Sequence, residues 1–209
     1  MPTSAGLFDS FDNLDTISLE AIASWLKPVP DLTQLENYLA NRILYPQTLP
    51  ISEREMQIDL AILREALKIN KDPFLDNTLR RMLIPAKFLN YVPDPANLTL
   101  IFIDALLLSR DRKDSLKDIW TVALTSDVAE VIGSAIMPQF NNGSGGVMSL
   151  SLFNKKYDIK QGNLMVIPCP KDRCEISYKL QNGHLLGKQD NAVEVYGGRL
   201  GLLIDGRNI

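Results

Sequence analysis

One histidine and two cysteines are the only nitrogen base and soft metal ligands of their kind in the chain, and their setting decides which chemistries are open. His184 lies in Asn-Gly-His-Leu-Leu-Gly-Lys, a turn context with no carboxylate arranged to orient it, and reads as a solvent-facing histidine, not a general base. Cys169 and Cys174 flank Pro-Lys-Asp-Arg. That is not the C-x-x-C spacing of a thiol oxidoreductase, and a single histidine beside two cysteines cannot close a four-ligand zinc site from this chain alone. They read as reduced thiols of a hairpin, with a local disulfide or a shared metal site as the alternative. Asp104 falls inside the apolar run 98–108. A lone acid there reads as the polar edge of a helix, with catalytic use as the alternative, since unpaired burial shifts a carboxyl's pKa or costs several kcal/mol. Gly143-Ser144-Gly145-Gly146 is the one dense glycine cluster ahead of a strand; a phosphate cradle would lead into a helix, so it reads as a linker. With no D-x-D or H-x-x-x-H cluster, the expectation is no metal, no cofactor and no self-contained catalytic site.

Composition sets the class. At 209 residues, 45% hydrophobic and 22% charged, the chain can bury a core as one large domain or two small ones. Residues 1–79 carry net −6 and residues 80–209 net +3, too thin a positive excess for a nucleic-acid footprint, so none is expected as a partner. The N-terminal segment has neither a basic region nor an apolar region of signal type, and the longest apolar run falls well short of the roughly 20 residues that cross a bilayer. No transmembrane span and a cytoplasmic location are the expectations.

The elements that would position these residues change character along the chain. Helices are predicted over 16–26, from Asp31 toward Pro46 with Asp-x-x-Gln34 as a capping box, and from Ser52-x-x-Glu55 through Leu67. Residues 81–84 can be helix or strand, and 88–92 reads extended. Asp94-Pro95 opens an apolar helix, 110–117 is a charged connector, and 119–124 is a buried strand. Ser126 is expected to cap a helix over Val128, Val131, Ile132 and Ile136, an α/β rhythm that predicts at least one parallel strand pair. Residues 139–146 read as a linker. Five short strands follow, at 147–153, 162–167, 174–180, 192–196 and 200–204, with Asn182-Gly183 and Gly197-Gly198 as hairpin turns.

Several pieces taken in order resemble one family. Trp25-Leu26-Lys27-Pro28, Leu35-x-x-Tyr38-Leu39-Ala40-Asn41, Pro46-Gln47-Thr48-Leu49-Pro50 and Ala61-x-x-Arg64-Glu65-Ala66-Leu67 are similar to the helical segment of MutL-like proteins, the glutamate mutase accessory proteins of the actin-like ATPase superfamily. Val92-Pro93-Asp94-Pro95-Ala96, Ile103-Asp104-Ala105-Leu106 and the closing Gly197-Gly198-Arg199-Leu200-Gly201-Leu202-Leu203-Ile204-Asp205-Gly206-Arg207 continue the likeness. It covers the chain from about residue 20 onward.

The resemblance implies an α/β fold: a helical subdomain at 1–72, an α/β remnant of one actin-like (ribonuclease H-like) lobe at 73–138, a linker at 139–146 and an antiparallel β unit at 147–209. A two-lobed member would need roughly twice this length on ordinary domain sizes, so only the family's C-terminal part is resembled. Where the family has a glycine pair before Pro-Asp-Pro, this chain has Pro85, Ala86 and Lys87, whose side chains obstruct the backbone approach a nucleotide needs. Replacement of that backbone contact by a Lys87 phosphate contact is the alternative to loss of the site. The expected function is therefore a non-catalytic interaction or assembly protein, with a protein partner or a second copy covering the exposed lobe surface. The alternative is a split nucleotide-dependent accessory subunit of a cobalamin-dependent mutase, its first lobe supplied by another chain; a free-standing hydrolase or transferase is a third, more remote reading.

Overall fold

Three polar side chains start the three N-terminal helices. In the computed structural model, which describes residues 7–8, 11–70, 74–76, 80–107, 119–126, 128–141 and 145–207, Ser18 caps α1 (Leu19–Ser24), Asp31 caps α2 (Leu32–Leu44) and Ser52 caps α3 (Glu53–Ile69). Each accepts a backbone N–H that would otherwise go unpaired. At Ser52 the expected reciprocal bond is shifted by one residue: Glu55 N–H donates to Ser52 Oγ, and the Glu55 carboxylate accepts from Ile51 N–H. α1 is shorter than the predicted 16–26; a 3-10 turn, Leu14–Thr16, takes its first residues. α3 is the central helix. Ala61, Ile62, Leu63, Ala66 and Leu67 are all fully buried, which a helix covered on more than one side requires.

The strands are β1 (Leu75–Asp76), β2 (Arg81–Pro85), β3 (Ile119–Thr125), β4 (Glu130–Ile136), β5 (Gln139–Phe140), β6 (Val147–Leu152), β7 (Lys155–Lys160), β8 (Leu164–Gln181), β9 (Gly183–His184) and β10 (Asp190–Asp205). Eight form one mixed sheet in the order β1-β2-β3-β4-β10-β8-β6-β7, while β5 and β9 pair separately. The pairs β2/β3 and β4/β10 are parallel, where at least one parallel pair was expected, and the other pairs are antiparallel. The crossover from β2 to β3 contains α4 (Pro95–Phe102), capped by Asp94 with Pro95 at its first position, then a π-helical turn, Ile103–Leu107.

Four sequence expectations are corrected. Residues 130–136 form β4 where a helix after Ser126 was expected: Ile132 to Ile136 are buried without a break, and such a run fits a strand covered on both faces and paired on both edges. A 3-10 helix, Ala86–Asn90, takes the first half of the segment 88–92 that was expected to be extended. Gly197-Gly198 is not a hairpin turn. β8 and β10 are long strands paired along most of their lengths, and those glycines sit at a register shift inside β10. A Cβ on Gly197 would run into the carbonyls of Lys171 and Cys169 on β8, so the close approach requires glycine. The segment read as a linker begins with β5, whose Phe140 is buried. The charged connector 110–117 and residues 142–144 lie outside the described residues.

Two hydrophobic cores use opposite faces of the same central strands. Ile132 and Ala135 of β4 and Leu200 and Leu203 of β10 join the helical core; Ile136, Leu202 and Ile204 join the core built with β6, β8 and Phe140. Side chains alternate across a strand, and register shifts at Ile132 in β4 and between Gly198 and Leu202 in β10 put Ile132 and Leu200 on the helical side, so β4 and β10 form a wall shared by both cores. Among the described residues no helix is long and apolar enough to cross a membrane.

Candidate functional site

Asp104 is not alone. It lies in the π-helical turn after α4, 7% exposed, and accepts hydrogen bonds from Arg64 Nε of α3 at 3.3 Å and from Arg207 Nη2, just past β10, at 2.9 Å. Arg207 also forks onto Asp205, Nε to Oδ1 at 2.9 Å and Nη2 to Oδ2 at 2.7 Å, and the Asp205 bond holds its pKa above the ordinary arginine range. Three of the family-like sequence pieces, those containing Arg64, Asp104 and Asp205-Gly206-Arg207, thus meet at one ionic cluster that ties α3, α4 and β10 together. Each Asp104 oxygen thus takes one guanidinium donor, and the side chain acts as a structural clamp between α3 and the end of β10.

A second buried cluster fixes the helical layer. Arg42 on the last turn of α2 forms a bidentate pair with Asp59 of α3, Nε to Oδ1 at 2.9 Å and Nη2 to Oδ2 at 2.6 Å, and the Tyr38 hydroxyl bonds the same pair. Burial pushes the Asp59 carboxyl up to about 6, against the lowering effect of Arg42 and the Tyr38 hydrogen bond. Burial and the Asp59 charge raise the Tyr38 phenol. Arg42 Nη1 also donates to the Thr48 carbonyl, and Arg54 Nη2 donates to the Pro28 carbonyl. The first bond draws the connector between α2 and α3 back along α2, and the second ties α3 to the segment between α1 and α2.

That connector is apolar and exposed. Ile51 is 90% exposed, Leu44 69%, Leu49 62% and Tyr45 57%, with Val29, Leu32 and Ile43 exposed nearby in sequence. On α2, Leu32, Ile43 and Ala40 fall on an arc adjoining the buried stripe of Leu35, Leu39 and Arg42, so the helix's apolar face is wider than the surface that covers it. Isolated exposed apolar residues are ordinary; here several fall close together on a segment tied to a buried ion pair.

The remaining sequence candidates are dispersed. Pro85 ends β2, and Ala86 and Lys87 open the 3-10 helix, which is pinned by the fully buried Phe88. Phe88 stacks with Phe11 at 6.0 Å and meets Phe102 at 5.9 Å, so aromatic packing occupies the inner side of this crossover. Lys87 Nζ lies 5.7 Å from the Phe88 ring centroid. His184 is exposed on β9, opposite Gln139. Cys169 and Cys174 lie side by side with both sulfurs 3.9 Å from the Lys171 carbonyl, the juxtaposition that the alternative of a local disulfide needs. Residues five apart on a regular strand point to opposite faces; the bulge opposite Gly197 puts both cysteines on the buried face. Among the described residues no group of three or more His, Cys, Asp or Glu side chains is placed to hold a metal ion.

Sequence reasoning missed the Tyr38–Arg42–Asp59 cluster. Its visible signals were the i,i+4 spacing of Tyr38 and Arg42 and an acid on the apolar face of α3. Compared with protein-family models, curated proteins and solved structures, the chain matches none.

Proposed function

We propose that this chain is a non-catalytic interaction or assembly protein on a scaffold like the C-terminal part of MutL-like proteins, with a degenerate actin-like lobe as its α/β layer. The observation that carries this reading is the exposed apolar connector, Leu44, Tyr45, Leu49 and Ile51, anchored from beneath by Arg42. Exposing that much apolar surface on an ordered segment is offset when a partner covers it. The crossover at Pro85, Ala86 and Lys87 supports the non-catalytic part: it turns directly into a 3-10 helix whose Phe88 is locked in an aromatic cluster.

The test combines two measurements on the purified chain. Sedimentation across a micromolar concentration series should show self-association that Leu49→Asp with Ile51→Asp abolishes, with helicity retained. Titration with ATP and magnesium should give no binding. A concentration-independent monomer together with magnesium-dependent ATP binding would overturn the proposal and favour the split accessory subunit of a cobalamin-dependent mutase.

A further inference from the structure

A cleft between α3 and α4 has a different character from the exposed connector. It encloses about 300 Å³ and is walled by Met56, Leu60, Tyr91, Leu100 and Ile101, with Arg64 as its cation. That volume is at the lower bound for small-molecule sites, so an occupant must be small. Between Arg64 and Asp94 the walls are apolar apart from Asn97 of α4, so the body of an occupant must be mainly apolar.

Arg64 is built for a second acceptor. Its Nε is committed to Asp104, its Nη1 has a long contact of 3.4 Å with the Leu60 carbonyl, and Nη2 has no acceptor among the described residues. The guanidinium carbon lies 5.0 Å from the Trp25 ring centroid, which holds the plane from one side. An arginine fixed at Nε and stacked on an indole loses little further entropy when it binds another carboxylate. Because Arg64 contacts Asp104, which follows α4, it sits at the end of the cleft near the C-terminus of α4. Asp94, the N-cap of α4, lines the other end with its Oδ1 accepting from Ala96 N–H. The eight residues of α4 rise about 12 Å between the two ends. A negative group is thus favoured at one end only.

We propose that the α3–α4 cleft binds a small aliphatic monocarboxylate, its carboxylate on Arg64 and its chain along Leu60, Leu100 and Ile101. A carboxylate at both ends is disfavoured by Asp94, and a neutral or cationic head group forgoes the charge-assisted bond to Arg64.

The test is calorimetric titration of the full chain with octanoate, octan-1-ol, octylamine and octanedioate, each below its aggregation concentration. Octanoate is expected to bind saturably at one site; octan-1-ol and octylamine should bind about tenfold more weakly for want of the charge-assisted hydrogen bond to Arg64, and octanedioate about tenfold more weakly because its second carboxylate meets Asp94. Arg64→Gln should weaken octanoate by a similar factor. Since that change also touches Asp104, Met56→Trp is the second variant: it fills the cleft from a partly exposed position without disturbing the ion pairs, and should abolish binding. Absence of saturable octanoate binding, equal binding of octan-1-ol, or octanoate binding unchanged in Met56→Trp would each overturn the proposal.

Discussion

The two faces of the shared sheet are held together by different physics. On the helical face, buried charge is part of the architecture: Arg42 with Asp59 across α2 and α3, Arg64 and Arg207 on Asp104, and Glu65 taking both Trp25 Nε1–H and Lys68, each at 2.6 Å. On the other face the core is mainly aliphatic, joined by Phe140, Met148, the two cysteines and Tyr178, whose hydroxyl donates to the Leu185 carbonyl. Its ion pair Arg173–Glu194 lies outside, with the side chains 62% and 61% exposed. Apolar association alone permits many arrangements of similar energy, whereas a buried bidentate pair tolerates one. The region with directional bonds is also the region that displays the exposed connector, so the charge network sets the shape of the surface proposed for interaction.

The largest expected effect breaks that network. Asp59→Ala leaves the Arg42 guanidinium buried without its carboxylate, which costs about 3–5 kcal/mol. Chemical denaturation should show that loss, and hydrogen exchange should show faster exchange at 45–51, because Arg42 no longer holds the Thr48 carbonyl in one place. A loss below about 1 kcal/mol with unchanged exchange would mean that apolar packing alone fixes the helical layer.

A smaller effect follows from the same carboxyl. Burial raises its pKa in the folded protein from 3.8 to about 6, so the folded state holds the proton more tightly than the unfolded chain. The resulting contribution to stability is fully present below pH 3.8 and is lost as pH rises through about 6. Urea midpoints of the native chain relative to Asp59→Asn should therefore fall between pH 4 and pH 7, by at most about 3 kcal/mol. A flat difference, or one that rises with pH, would show that Arg42 outweighs desolvation at this site.

What the sequence made legible divides along the same line. Local signals were readable: the caps at Ser52, Asp31 and Asp94-Pro95 act on their own next few residues, and all three helices start where these caps put them. β3 was visible as a compact apolar run, and a parallel pair was expected from a helix–strand–helix rhythm whose second helix is in fact β4. β4 was misread because Val131, Ile132 and Ile136 fit one face of a helix as well as a doubly covered strand. What decides the matter is pairing with β3 and with β10, and β10 begins more than fifty residues downstream. The same nonlocality hid the ionic cluster, since Arg64 and Asp104 are 40 residues apart and Asp104 and Arg207 are 103 apart. Each residue was conspicuous in its own motif, but nothing in any one motif names its partners.

The smallest expected effect tests the comparison from the other side. Glu194→Gln removes the acid of the exposed pair with Arg173, at 2.8 Å, on adjacent strands β8 and β10. An exposed ion pair is worth about 0–1 kcal/mol, because water solvates both groups well when they are apart and two long side chains lose entropy when held together. The Arg173 guanidinium also lies over the Tyr196 ring at 5.3 Å and keeps that contact when the acid is gone. The unfolding midpoint should therefore move by less than the experimental spread in 0.15 M salt, and by a few tenths of a kcal/mol at low salt. A loss approaching that of Asp59→Ala would mean that the β half, too, depends on directional charge, and the contrast between the two faces of the sheet would fail.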